Sequence, residues 1–295
     1  MTNPTMRPRI ALATYDRAPR LAPDDQLLLP ALAAAGIDAE PAVWSDDAVA
    51  WETFDGVVVR SCWDYHLHIQ EFKSWLARLD AGRVPAWNSI ATIEWNADKR
   101  YLLDLARRGV VTIPTMIVAR GDAGAVEATA KAEGWSRFVL KPTVSASGHE
   151  THALELPLND EARHAIARTL ALGDALVQPF APEVPRDGEL SFTFIDGRLS
   201  HATIKRAAGN EFRVQTEHGG SVDPTDPPRE IAEQATHVLA ALSDVPLYAR
   251  VDGIARGGQF LLMELELIEP NLFFGFAPGS AERFAAALAE RIRSV

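Results

Sequence analysis

Cysteine is almost absent. Cys62 is the only one in 295 residues, so no intrachain disulfide can staple the fold, and a reducing, cytoplasmic setting is expected. Long apolar runs are missing too. None reaches the ~18 residues that a membrane-spanning helix needs, and the opening MTNPTMRPR lacks the apolar stretch of a secretory signal. No run of lysine and arginine marks a nucleic-acid footprint. Acidic residues outnumber basic ones by 40 to 29, giving a net charge of -11. Neither nucleic acid nor a membrane is an expected partner. With 47% hydrophobic and 23% charged residues, the chain has the composition of a globular protein with a sizeable core.

Strands and helices alternate at the start. RIALATY (9–15) and DGVVVRS (55–61) are short apolar runs suited to buried strands. APDDQLLLPALAAAGID (22–38) carries a helical stripe that Gly36 stops, and Phe72, Trp75, Leu76 and Leu79 recur at helical spacing. This pattern predicts a parallel α/β unit over residues 1–97. NADKRYLLDLARRG (96–109) reads as one capped helix, and a compact α+β unit follows over 98–182. The last unit, 183–295, opens with two strands around Asp196-Gly197, a hairpin signal because both turn positions require positive φ. No internal repeat interrupts the chain.

The chemistry concentrates in three places. In LLMELELIEPN (261–271), strand alternation puts Glu264 and Glu266 on one face. Like charges on a half-buried face repel and are costly unless compensated. Asp252, one hairpin earlier, can approach the same face. Three hard oxygen donors suit Mg²⁺, which shares its remaining positions with phosphate and water. The plain alternative is a solvated face with routine surface acids.

The second place is RFVLKPTVSASGHETHAL (137–154). Lys141 ends an apolar strand, and a loop of small residues with Ser145, Ser147 and Gly148 follows. Small residues let backbone N–H groups approach phosphate, although the spacing is not that of a Walker loop. Lys99 stands near a helix start. The third place is ALVQPFAPEVPRDGELS (175–191), where Gln178, Pro179 and Phe180 form a proline-stiffened hinge with Glu183 shortly beyond. A domain linker with a solvated acid would read the same way.

The order of these pieces resembles the ATP-grasp superfamily, in its glutathione-synthetase and D-alanine-ligase branch, over essentially the whole chain. The resemblance implies an α/β and α+β fold with a Rossmann-like N-terminal domain, a central lid and a C-terminal domain bearing the metal. It implies ATP and Mg²⁺ as cofactors. Lys99, Lys141, Ser145, Ser147 and Gly148 would contact phosphates; Gln178, Pro179 and Phe180 would hold adenine; Glu183 would bind ribose. Asp252, Glu264 and Glu266 would hold the metal. The family's final strand usually reads Glu-x-Asn, whereas this one reads Glu264-Leu265-Glu266; Glu269-Pro270-Asn271 offers a second register, with Asn271 in reserve.

The implied reaction is activation of a carboxylate as an acylphosphate, attacked by an amine, with release of ADP and phosphate. Arg250, two residues before Asp252, is the expected grip on phosphate or the tetrahedral intermediate, and Arg206 and Arg213 are candidates for the acceptor carboxylate. A small-molecule kinase or a non-catalytic nucleotide-binding protein would use the same scaffold. A homodimer would be compatible with the family. Arg60, Ser61 and Asp64 end a strand where open α/β sheets place ligands. VVVRSCWDY (57–65) also resembles a smaller ATP-grasp group that includes the cyclo-ligase of cycloserine biosynthesis, which makes O-ureidoserine a candidate substrate. Cys62 is expected to be a buried small residue. His66, His68, His149 and His152 assemble into no evident metal site, although His149 could touch phosphate.

Overall fold

The computed structural model describes residues 7–209, 211–214 and 218–294. Three sheets organise them. β1 (Arg9–Thr14), β2 (Asp38–Val43) and β3 (Gly56–Ser61) form a parallel sheet in the order β2-β1-β3. Its inner strands read as continuous apolar runs because helices cover both faces. On one face α2 (Ile69–Ala81) buries Phe72, Trp75, Leu76 and Leu79 against Trp44 and Trp51. On the other, α1 (Leu28–Ala34) meets α9 (Ser280–Arg293), whose Phe284 and Leu288 reach Ile10, Leu12 and Val58. The chain's last helix thus completes its first sheet.

The second sheet is antiparallel, in the order β4-β7-β5-β6. It comprises β4 (Met116–Val118), β5 (Arg137–Pro142), β6 (His152–Glu155) and β7 (Ala175–Pro179). α5 (Ala123–Ala132) and α6 (Asp160–Leu172) cover it through Val126, Ala130, Ile166 and Leu170.

The third sheet runs β10-β9-β8-β11-β12, with β8 (Glu189–Ile195), β9 (Arg198–Arg206), β10 (Ser221–Thr225), β11 (Tyr248–Arg256) and β12 (Gln259–Glu266). The β8–β9 hairpin turns at Asp196 and Gly197, with φ of 51° and 70°, as the sequence predicts. α8 (Arg229–Ala240) buries Ile231, Ala235 and Val238 against the apolar face.

The helix expected over 96–109 begins later, as α4 (Tyr101–Arg107), and the residue at its expected start closes a separate helix, α3 (Ile90–Asn96). Between them Asp98 Oδ1 accepts from the Arg100 N–H at 2.9 Å, a local bond that competes with helical hydrogen bonding. The Lys99 N–H donates instead to the Thr143 carbonyl at 2.7 Å. The break has a use. Asn96 donates to Leu265 O and accepts from Leu267 N, and the Leu265 N–H donates to the Tyr101 hydroxyl. These bonds satisfy the outer edge of β12, a strand that would otherwise expose unpaired backbone. Among the described residues no helix is long and apolar enough to cross a membrane.

Candidate active site

Alternation along β8, β11 and β12 sorts their side chains into two faces. Phe192, Phe194, Ala249, Val251 and Leu265 enter the core with α8. The other face carries two polar rungs that run across four strands. One is Thr203, Ser191, Asp252 and Glu264; the next is His201, Thr193, Arg250 and Glu266. Asp252 therefore lies directly opposite Glu264, and Arg250 opposite Glu266. The register shifts just after Asp252, at Gly253, where a Cβ would collide with the Leu261 carbonyl and the Phe260 ring.

Three protein cations offset the carboxylates of LLMELELIEPN and its neighbours. Lys99 Nζ lies 2.8 Å from Glu264, and Lys205 Nζ lies 2.8 Å from Asp252 and 2.5 Å from Glu189. Arg250 pairs with Asp252 at 2.9 Å and also with Glu266. Burial pushes the Asp252 carboxyl upward, but Arg250 and Lys205 outweigh it and hold the group well below its ordinary range. Glu264 is likewise lowered, by Lys99 and Lys141 against burial. Burial dominates at Glu266, pushed up to about 7, and at Glu269, pushed up to about 8 with help from Glu266. Lys99 is raised because Glu264 overcomes its desolvation, whereas burial lowers Lys141.

Among the described residues no three acidic, histidine or cysteine groups close around one metal position. The donor chemistry still fits Mg²⁺, which needs only one or two carboxylates when phosphates supply the rest. The side chains of Glu264 and Glu266 are 29% and 26% exposed, while that of Asp252 is 2% exposed and bound by two cations.

A cavity opens over this face, between the second and third sheets. Lys141 lines it and, among the described residues, has no ion-pair partner within 4 Å. Lys99 also donates to the Ser145 carbonyl at 2.5 Å, tying the small-residue loop to Glu264. Ser145, Ser147 and Gly148 line the cavity, and Ser147 and Gly148 both take positive φ, which turns the loop tightly. Gln178, Pro179 and Phe180 line it as well. Gln178 Nε2 donates to Thr115 Oγ1 at 2.8 Å, and Arg137 lies 3.6 Å over the Phe180 ring.

Other candidate residues have partners of their own or sit apart from the cavity. Glu183 does not reach the cavity lining; Arg256 binds both its oxygens, at 2.8 and 2.9 Å. Glu189, at the start of β8, does line it. Arg206 points away from the site and pairs with Asp223 at 3.5 Å, because alternation sends its neighbour Lys205 inward. Arg213 lines the cavity, bound to Glu211 at 2.8 Å. Arg60 and Ser61 are fully buried around Asp25, and Asp64 accepts from the Trp44 indole, so none faces the cavity. Trp63, between them in sequence, does. Cys62 is buried and its thiol is pushed well up by burial, which makes it inert. His66 lies tilted against His149 with ring centroids 5.4 Å apart, and burial pushes it down to about 4. His149 lies outside the lining, and His152 pairs with Glu150 at 2.7 Å.

A small-residue loop and hinge on one sheet face a ladder of carboxylates and cations on another, as the resemblance to ATP-grasp enzymes implies. Solved structures agree on the fold. D-alanine–D-alanine ligase from Bacillus anthracis superposes with a TM-score of 0.69 at 15% identity, over 97% of this chain and 98% of that one. A RimK domain ATP-grasp protein from Sphaerobacter thermophilus gives 0.68 at 20% identity, over 97% and 99%. The nearer likenesses are more specific. Residues 10–88 match the family described as D-cycloserine synthetase DcsG, N-terminal domain. The crystal structure of D-cycloserine synthetase DcsG superposes with a TM-score of 0.88 at 33% identity, over 96% of this chain and 99% of that one. The cycloserine biosynthesis protein DcsG of Streptomyces lavendulae is 36% identical over 279 residues, 90% of this chain and 93% of the relative. The chain belongs to the DcsG family of ATP-grasp ligases. It is an ATP-dependent, ADP-forming ligase that joins a carboxylate to a nitrogen nucleophile.

Proposed function

We propose that this chain closes a ring: it phosphorylates the carboxylate of O-ureidoserine, and the substrate's own ureido nitrogen displaces the phosphate. ATP gives up its terminal phosphoryl group to the carboxylate oxygen. The nitrogen bonded to the side-chain oxygen then attacks the acyl carbon, loses a proton and expels phosphate, so each turnover releases ADP and phosphate. The carbamoyl group stays on the ring nitrogen until water removes it as carbon dioxide and ammonia, which frees the ring. The likeness to DcsG over nearly the full length supports this substrate class. The observation that carries the site is the register of β11 and β12, which sets Asp252 against Glu264 and Arg250 against Glu266 beneath Lys141.

In this reading residues 1–97 supply substrate contacts, 98–182 the lid and 183–295 the metal face. Lys141, which among the described residues has no carboxylate within ion-pair distance, takes the nucleotide phosphates with Lys99 and the loop at Ser145, Ser147 and Gly148. Gln178, Pro179 and Phe180 hold the adenine. Glu264 and Glu266 would hold Mg²⁺, with Asp252 a further donor were Lys205 or Arg250 to turn to phosphate. The metal supplies charge neutralisation as phosphate charge builds up. Arg250 and Arg213, which both line the cavity, face the developing oxyanion.

The test is ADP and phosphate release with O-ureidoserine and Mg²⁺, with the cyclic product followed by mass spectrometry. Ring closure requires both ADP and phosphate in equal amounts. ADP without phosphate would mean a kinase, and no substrate-dependent ADP would reject this substrate.

A further inference from the structure

Five carboxylates line the cavity: Glu189, Asp252, Glu264, Glu266 and Glu269. Four have a protein cation within ion-pair distance. Glu269 has none among the described residues. Its main chain, by contrast, is fixed from several sides. Trp63 Nε1 donates to the Glu269 carbonyl at 3.1 Å, Arg60 Nη2 to the Pro270 carbonyl at 2.7 Å, and Arg250 Nη1 to the Asn271 carbonyl at 3.0 Å. Arg60 is itself fully buried and locked on Asp25. The segment is thus held rigidly while the Glu269 side chain is left to meet a ligand. Trp63 and Phe273 line the same cavity, and Trp63 tilts against Tyr15 with ring centroids 6.1 Å apart.

A carboxylate lacking a cation, beside aromatic rings, in a site whose other anions are compensated, is complementary to a small organic cation. We infer that Glu269 and Trp63 form the subsite for the primary ammonium group of the substrate. The inference deepens the proposed function and rests on it for the substrate being an amino acid. Anchoring the amine at Glu269 holds the carboxylate where it can be phosphorylated, and leaves the Glu264–Glu266 pair to the metal.

Calorimetry on the full chain with Mg²⁺ and a non-hydrolysable ATP analogue tests it. The two ligands are O-ureidoserine and the same molecule lacking its α-amine. A charge-assisted contact predicts that the wild type binds the amino compound roughly 10- to 100-fold more tightly. That preference should collapse to about twofold or less in Glu269→Gln, with nucleotide affinity and Mg²⁺ requirement unchanged. Equal affinities in the wild type, including no binding of either compound, would overturn the subsite. So would a preference retained in the variant, or a shifted Mg²⁺ requirement, which would make Glu269 a metal ligand. Wild-type failure to release ADP from O-ureidoserine bears on the ring-closing reaction alone, since the subsite is judged by the affinity ratio.

Discussion

Asp252 and Glu264 face each other across β11 and β12, and each keeps a lysine of its own 2.8 Å away, Lys205 for one and Lys99 for the other. Two like charges can share a sheet face on those terms. Lysines with the same chemistry but different partners should therefore fail differently. Lys205 is buried against Asp252 and Glu189, so Lys205→Met leaves two buried carboxylates undercompensated and should cost about 3–5 kcal/mol of stability in urea unfolding. Among the described residues Lys141 has no such partner. Lys141→Ala should change stability by less than about 1 kcal/mol while raising the KM for ATP roughly 10- to 100-fold. Equal stability losses in the two variants would contradict this division.

Glu264 and Glu266 are the accessible members of the ladder. Glu264→Gln keeps the shape and removes one charge, and it also releases Lys99. The Mg²⁺ concentration needed for half-maximal ADP release should rise by at least about tenfold. An unchanged Mg²⁺ titration would remove Glu264 from the metal site.

Gly253 lets the ladder exist. A side chain at this bulge would push against Leu261 and Phe260 and separate β11 from β12 beside Asp252. Gly253→Ala should lose about 1–3 kcal/mol and disturb Mg²⁺ dependence together with stability. Wild-type melting and activity in this variant would show that the close approach is not needed.

The pH dependence of stability has a definite sign at Glu269. Its folded value, about 8, lies above the 4.5 of an ordinary glutamate because of burial and the nearby Glu266. The stabilisation is complete below the unfolded value and is lost as pH rises through the folded one. The thermal midpoint of the chain without ligands should therefore fall between about pH 5.5 and about pH 8. Glu269→Gln should remove about 1–2 kcal/mol of that fall, a few degrees for a chain this size. Glu266 acts in the same direction, so part of the slope stays. Identical slopes in the two proteins would assign the effect elsewhere.

Much of this was legible in the sequence because it depends on period. Alternation alone placed Glu264 and Glu266 together, and the Asp196-Gly197 turn set the β8–β9 hairpin. What was not legible depends on facing and register. Lys205 and Arg206 are adjacent and alike in charge, and only the pairing of Glu189 with Lys205 sends one inward and the other out. Extending the alternation of ELSFTFI would have put Glu189 on the face of Ser191 and Thr193, ahead of Glu183. Arg60 looked like a ligand because it ends a strand, but its partner Asp25 lies 35 residues away in sequence. The break between α3 and α4 arises from Asp98 and from the demand of the β12 edge, which no helical stripe reports.

The most direct measurement is the thermal midpoint with a non-hydrolysable ATP analogue, with and without Mg²⁺. At a hundredfold over its dissociation constant the ligand should stabilise the fold by about 2.7 kcal/mol, several degrees. The predicted result is a shift that requires Mg²⁺ and is lost in Lys141→Ala. A midpoint unmoved by nucleotide, or a shift indifferent to both Mg²⁺ and Lys141, would contradict a nucleotide–metal site at the carboxylate ladder.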